Sequence, residues 1–509
     1  MSRRLKRSLI WSSLIFAAVL AGMTAAISPA AAAKGSLTMA HGGSLRSIDP
    51  QLTYGAYEMR ALRHVYEPLL DLDASGEKLI PVLAESWRIS PDGLTYTFKL
   101  RPGVKFANGE PFDAKAVLAT IERGKTDKKL GFNFIYSAIE KASSPDPSTV
   151  ILKTEKLQAG LLYNLTGALM MPANAAAFVG KNYDQPNGTG PFKVAQYVAN
   201  DRLVLEARPD YWQPGLPKVQ RLTLRVINEE SARLAAAQAG EIEIAEGLGA
   251  QFQDTIKGDP QLALLVNPIW RSEFVGFNCT RPPLDNAKVR QAIAYAINRE
   301  ALVKNVIQVG APLASYPMKG VLGYSAKIPA NPYDLAKARA LLAEAGQAKG
   351  FKANLLVAAG NVPKIEEMSE YFAAELKKIG IDVELKMQDS AGAGQTRAAG
   401  NYDMYIISTA VITGDPDRYF DDRVVRDTYA KQGCAAKRPD LVKMIQEAGQ
   451  TMDPAKRQGL YERIQDAMWA DPPFVWFNQT AWVYAVSKRV KNFRPSPTTL
   501  FTLQDVSVE

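Results

Sequence analysis

The chain predicts an α/β fold, and three stretches carry that prediction. From Lys218 onward Leu222, Leu224 and Val226 alternate, an Ala-rich helical run follows from Glu229 to Ala239, and Ile242 and Ile244 alternate again. That is the strand–helix–strand order of an α/β unit. The order returns further on. Asn354 to Ala358 reads as a short apolar strand. The helix from Glu366 shows Met368, Tyr371, Phe372, Leu376 and Ile379 on one side and stops at Gly380, and Ile381, Val383, Leu385 and Met387 alternate after it. Finally, Met404-Tyr405-Ile406-Ile407 is an unbroken apolar run, the pattern of a strand covered on both faces.

The remaining elements follow in chain order. Arg3, Arg4, Lys6 and Arg7 precede a mostly apolar stretch from Leu9 to Met23, and Ala31-Ala32-Ala33 stand before Lys34. This is a secretory leader (1–33) with a small-residue cleavage site near Ala33. The apolar run is shorter than the ~20 residues of a membrane-spanning helix. No cysteine stands near the cleavage point, so a soluble exported protein is expected rather than a lipid-anchored one. Ser90-Pro91-Asp92-Gly93 is a turn, with Pro presetting φ, Asp bonding its own backbone and Gly accepting positive φ. Leu94, Tyr96, Phe98 and Leu100 then alternate as a half-buried strand before a second turn at Arg101-Pro102-Gly103. Gly188-Thr189-Gly190-Pro191 is a loop before a strand pair closed by Pro209-Asp210-Tyr211-Trp212. Pro191 and the following strand argue against a phosphate loop, which needs a helix there. The apolar run Phe274-Val275-Gly276-Phe277 reads as a buried strand. Asp285 is the expected N-cap of the next helix, which puts Val289, Ile293, Ala296 and Ile297 on one face. Asp453-Pro454 opens another helix, with Leu460, Tyr461, Ile464, Met468 and Trp469 toward the core.

Three strings, Val65 to Val117, Gly188 to Trp212 and Phe274 to Ala301, closely resemble the dipeptide-, oligopeptide- and nickel-binding receptors of ABC importers, the extracellular solute-binding proteins of family 5. The resemblance implies the two-lobed periplasmic-binding-protein fold (type II) in its large three-domain form with interlobe hinge strands. One lobe is expected from 34–64, 187–270 and 484–509, an added domain from 65–186, and the second lobe from 271–483. The implied task is capture of a peptide or peptide-like solute between the lobes and its delivery to the transmembrane subunits of an ABC permease in the periplasm. The protein is expected to act as a monomer, without cofactor. A non-peptide solute (an opine, an oligosaccharide or a metal chelate) is the rival ligand, and an exported hydrolase on the same scaffold the rival class.

The resemblance also nominates cleft residues. In the nickel-binding members a tyrosine and, five residues later, a methionine lie upstream of the first string, and Tyr54 and Met59 occupy those positions here. In peptide-binding relatives a tryptophan and, three residues later, an amine-binding aspartate precede a Gly-Asp-Pro turn. Aligning on Gly414-Asp415-Pro416 puts Thr409 and Ile412 at those positions. An isoleucine cannot balance a buried ammonium, so the usual amine clamp is absent unless Asp415 or Asp417 takes its place. Dipeptide-binding members carry an arginine near the start of the helix after Pro363, where this chain has Lys364. Arg271 is the alternative cation, with Trp270 beside it, and the segment around Phe132 can present an aromatic ring.

Other chemistries find little footing. The net charge of +9 is spread along 509 residues without a dense basic block, so nucleic acid is not an expected partner. His41 and His64 form no H-E-x-x-H or Cys/His cluster, so no metal site is expected. Ser75-Gly76-Glu77-Lys78 matches S-x-x-K formally but lies in a polar turn, there is no G-x-S-x-G elbow, and no catalytic residue is nominated. Cys279 ends an apolar strand and Cys434 sits in a polar loop. An oxidising compartment permits a bond between them, but the sequence does not place them together, and the reading leans against one.

Overall fold

The structure, a computed structural model, describes residues 35–52, 55–131, 133–359, 362–425 and 432–509. The leader, Tyr54 and Phe132 lie outside the described residues. Among them a large mixed sheet of eleven strands runs through both lobes. At one end, Phe351–Ala358 lies parallel to Ile381–Gln388 and to Met404–Ala410. At the other, Ser36–His41 lies parallel to Arg221–Val226 and Ile244–Leu248, with the hairpin Phe192–Val198 and Arg202–Ala207 at the edge.

Two long antiparallel strands, Leu262–Phe277 and Phe474–Ser487, join these halves. Their pairing is interrupted once in a way that matters. Pro268 faces Ala481 and Ser272 faces Gln479, so Ile269, Trp270 and Arg271 stand opposite Thr480 alone. A bulge of this kind bends the strand and re-aims its side chains. Its backbone is still satisfied, since Trp270 N donates to Pro497 O at 2.7 Å and Trp270 O accepts from Val411 N at 2.7 Å.

The added domain is a four-stranded antiparallel sheet, in the order Ala84–Ile89, Thr95–Leu100, Thr149–Lys153, Lys141–Asp146. The helix Ala114–Thr126 covers it, capped by Asp113, which accepts from Lys115 N. Phe98, Val117, Ile121 and Val150 form its core. The expected turn is present: Gly93 takes φ 75°, donates to Ser90 O, and Asp92 accepts from Leu94 N. Lobe cores form separately, around Leu37, Leu203 and Leu222 in one and Val275, Ile293, Leu355 and Phe372 in the other. Most of the alternating strands and helical faces read from the sequence fall in strands and helices, although Ile242 precedes the strand Ile244–Leu248, Ile379 follows the helix Ile365–Lys377 and Met387 is exposed; Asp453 caps the helix Pro454–Ala470 as expected.

Two expectations are corrected. The helix Ala287–Ala296 is capped by Asn286, whose Oδ1 accepts from Lys288 N, and not by Asp285; both residue types cap well, so the sequence could not choose between neighbours. Cys279 and Cys434 are disulfide-bonded, with Cα atoms 5.1 Å apart. Cys434 opens a short 3-10 turn, is buried, and lies just after Gln432, whose carbonyl accepts from Cys279 N at 2.7 Å. That backbone bond, between residues far apart in sequence, brings the thiols together, and no local pattern announces it.

Candidate functional site

The bulge in the long strands places Arg271 where two cavities meet. The first, about 330 Å³, lies between lobes: Tyr57, Trp482 and the backbone of Gly247–Gly249 form one wall, Ile307, Val309 and Pro363 the other. The second, about 280 Å³, lies between Ala56 and Phe134 on one side and the segment Ser408–Thr413 on the other. Arg271 lines both.

The aromatic wall of the first cavity is a stack. His41, Tyr57 and Trp482 lie ring on ring at 4.8 and 5.5 Å, nearly parallel. The buried Arg60 guanidinium sits over Tyr57 and Trp482 and pairs with Glu246, Nη1 to Oε1 at 2.6 Å. Burial pushes the Tyr57 hydroxyl up to about 12, so it remains a donor, and lowers His41 to about 3, so the imidazole is neutral. Glu273 forms the floor. It accepts from Asn478 Nδ2 at 2.8 Å and Thr480 Oγ1 at 2.7 Å, with Arg271 Nε 3.9 Å away. Its burial raises its pKa against the pull of Arg271.

Arg271 itself donates through Nε and Nη2 to one hydroxyl, Ser408 Oγ, at 3.1 and 2.6 Å. Its side chain keeps 28% of its exposure. In the second cavity Arg418 lies 3.7 Å over the Phe134 ring, a cation–π contact across the gap between the added domain and the second lobe.

The other nominated residues divide clearly. Thr409 and Ile412 line the second cavity, and Ile412 also packs on the added domain's core. Asp415 borders the same cavity, but its carboxylate is held bidentately by Arg457, at 2.5 and 2.9 Å, and caps Asp417 N at 2.8 Å. Asp417 lines neither cavity; it packs near Gly449, the residue whose carbonyl accepts from Ala159 N. Met59 is buried in the core of the added domain. Trp270 is a wedge, nearly fully buried, against Gly76, Gly320 and Gly414; a Cβ at Gly76 would come within 2.7 Å of its ring. The burial that hides Met59 and Trp270 removes them from the cavity walls. Lys364 lines the first cavity and pairs with Glu367 at 3.2 Å. His64 is packed: Nδ1 meets Arg60 O and Nε2 accepts from Leu503 N.

Sequence reasoning missed Tyr57, Trp482 and Glu273. Glu273 had a signal, a charge set inside an apolar strand run. Trp482 and Tyr57 had none that distinguishes a cleft ring from a core one. A larger cavity, about 660 Å³, between the hairpin Leu70–Pro81 and the C-terminal tail is lined by Arg63, Asp71, Arg494 and Asp505 among others and by no residue of the bulge itself.

Two lobes bridged by paired long strands, with chambers meeting at the crossing, define a protein that encloses a small guest. Residues 78–426 match the family described as bacterial extracellular solute-binding proteins, family 5, and the chain belongs to that family: it is a solute-binding protein of the kind that serves ABC import outside the cytoplasm. It is 32% identical to the glutathione-binding protein GsiB of Pectobacterium atrosepticum over 504 residues, covering 96% of this chain and 98% of the relative. Among solved structures, HbpA2 from Haemophilus parasuis superposes with a TM-score of 0.81 at 26% identity, covering 93% of this chain and 100% of that one. AgaA from A. tumefaciens R10, solved with agropinic acid, gives 0.76 at 27% identity, covering 93% and 99%. The family's two-lobed type II fold is the fold described above.

Proposed function

We propose that this chain captures a short peptide or peptide-derived solute in the two-chambered cleft and hands it unchanged to an ABC permease. The observation that carries the reading is the cleft: a guanidinium at the junction of two chambers walled by stacked rings, backbone amides and apolar side chains. Its relation to a glutathione-binding protein over nearly the whole chain supports a peptide-sized guest. Arg271, Thr409 and Ile412 of the nominated set, with Tyr57, Trp482 and Phe134, contact the guest. Met59 and Trp270 act through packing, and Asp415 and Asp417 through the lobe scaffold. The leader is removed near Ala33, and the exported monomer works in the periplasm. Residues 34–64, 187–270 and 484–509 form one lobe, 65–186 the added domain and 271–483 the second lobe, and closure about the bulged strands shifts the population toward the enclosed state. No covalent step is needed.

An opine-like guest is the second reading, favoured by the isoleucine at position 412 and by the likeness to AgaA with agropinic acid. Mass spectrometry of solute released from purified protein separates the two. A thermal-shift panel containing glutathione supports it, since a ligand at a hundredfold excess over Kd stabilises by about 2.7 kcal/mol. A panel of peptides and opines that leaves the melting point unmoved would sink both readings, and sustained turnover of a bound solute would replace capture by catalysis.

A further inference from the structure

The charges facing the two chambers are unevenly committed. Among the described residues that line them, the carboxylates are Glu230, Glu273 and Asp415. Each already has partners. Glu230 Oε2 accepts from Gly249 N at 2.8 Å and Gln251 Nε2 at 3.3 Å. Glu273 accepts from Asn478 and Thr480, and Asp415 is clasped by Arg457. On the other side of the balance, Arg271 gives two of its donor groups to a single neutral hydroxyl, lies 3.9 Å from the Glu273 carboxylate without a hydrogen bond to it, and its Nη1 makes no hydrogen bond among the described residues. The chamber wall facing it from Thr409 to Ile412 is Thr-Ala-Val-Ile, without a charge, and Arg418 adds a second guanidinium to that chamber. A guanidinium with donors to spare in a partly desolvated site favours a carboxylate, which it grips through two parallel bonds. In the second chamber an ammonium would meet the Arg271 guanidinium, and the carboxylate among its described lining residues, Asp415, is already matched by Arg457, so its burial there is costly.

Resting on the peptide-capture reading, we propose that Arg271 selects the guest by taking a carboxylate at the junction of the chambers, and that the cleft sets no requirement for a free amino group. The guest class is therefore carboxylate-bearing peptides and amino-acid conjugates, N-blocked ones included. Arg271 is the specificity-determining residue, and Arg418 supports it through the field it adds to the second chamber.

Calorimetric titration of the mature protein with three probes tests this: glutathione, N-acetylglutathione and glutathione diethyl ester. On the unaltered protein the acetylated probe binds within about threefold of glutathione, whereas the ester is weaker by about thirtyfold or more, the order expected when a charged hydrogen-bond pair is lost. Arg271→Gln loses a similar factor for glutathione and no longer distinguishes acid from ester, while Arg271→Lys keeps part of the preference as a point charge without the fork. Melting curves of both variants confirm that they fold, and the probe series on the unaltered protein needs no variant. A tenfold or greater loss on acetylation overturns the proposal, as does an acid-to-ester ratio unchanged in Arg271→Gln. Native mass spectrometry with a mixture of di- and tripeptides runs alongside. Retention restricted to peptides with a free amine defeats the carboxylate rule and leaves peptide capture standing; retention of none removes both.

Discussion

Arg123 in the added domain and Arg271 at the crossing strands use the same guanidinium in opposite ways. Arg123 is fully buried, and its donors are saturated: Nη1 reaches Asp49 Oδ1 and Gln51 Oε1, both at 2.9 Å, Nη2 reaches Asp49 Oδ2 at 2.5 Å and Lys181 O at 3.0 Å, and Nε points to Phe178 O at 3.5 Å. It ties the helix Ala114–Thr126 to the first lobe, and nothing is left over for a guest. Arg271 shares one hydroxyl between two donors and keeps a face toward the cleft. The difference teaches that the completeness of an arginine's hydrogen bonding, more than its burial, separates a structural cation from one that waits for a ligand. The contrast is broken most directly by paired substitutions. Arg123→Met leaves the Asp49 carboxylate buried without its cation, and should cost about 3–5 kcal/mol of stability. Arg271→Gln should cost about 1–2 kcal/mol, since a partly buried contact is lost along with the pull on the Glu273 carboxylate 3.9 Å away, while Glu273 retains Asn478 and Thr480. Urea unfolding of the two variants without ligand measures both. Equal losses would erase the distinction.

The same comparison runs through the carboxylates. Asp415 borders the second chamber, yet both its oxygens engage Arg457. If it belongs to the scaffold, Asp415→Asn removes charge-assisted bonds and destabilises the protein by about 2–3 kcal/mol, while affinity for an N-blocked and a free-amine peptide falls by the same factor. A loss confined to the free-amine peptide would mark Asp415 as an amine ligand after all. Chemical denaturation and titration with the two peptides supply the readouts.

How far the sequence led is visible in these residues. Strands such as Thr95–Leu100 and helices such as Ile365–Lys377 were legible because their apolar periods of two and of three to four report burial directly. Of the nominated residues, Thr409, on the strand Met404–Ala410, and Ile412, just past its end, line the second cavity, both pointed to by the resemblance, and Arg271, in the bulge of the neighbouring long strand, lines both cavities. Asp415 could not be read, because the guanidinium that occupies it arrives 42 positions later from another helix. Trp270 could not be read either: an aromatic beside a cation fits a ligand platform and a wedge equally well, and only the glycines packed on its ring, from three separate segments, decide for the wedge. The disulfide belongs to the same class of long-range facts.

A pH-dependent effect sharpens the comparison from the side of a buried acid whose bonded partners are neutral. Glu67 accepts from the Tyr211 hydroxyl at 2.6 Å and from Trp212 Nε1 at 3.0 Å. These rings belong to the Pro209–Trp212 stretch that closes the strand pair after the Gly188–Pro191 loop. Burial raises its pKa to about 7, from an ordinary 4.5, against the pull of those donors. The folded protein therefore holds this proton across a window in which the unfolded chain has released it. The stabilisation is complete below about pH 4.5 and is lost as pH rises through about 7. His64, lowered by burial to about 4, acts in the reverse sense, losing stability as pH falls from 6.5. His41, lowered by burial to about 3, acts in the same sense as His64, so the raw pH profile mixes all three and a variant has to separate Glu67 from them. Glu67→Gln cannot titrate and keeps an acceptor for Tyr211. The stability of the unaltered protein minus that of Glu67→Gln should fall between pH 5 and 7 by on the order of 1 kcal/mol per unit, and flatten above. A difference that is constant with pH would mean that Glu67 is ionised when folded, which would make neutral donors the equal of the guanidinium that Asp49 enjoys.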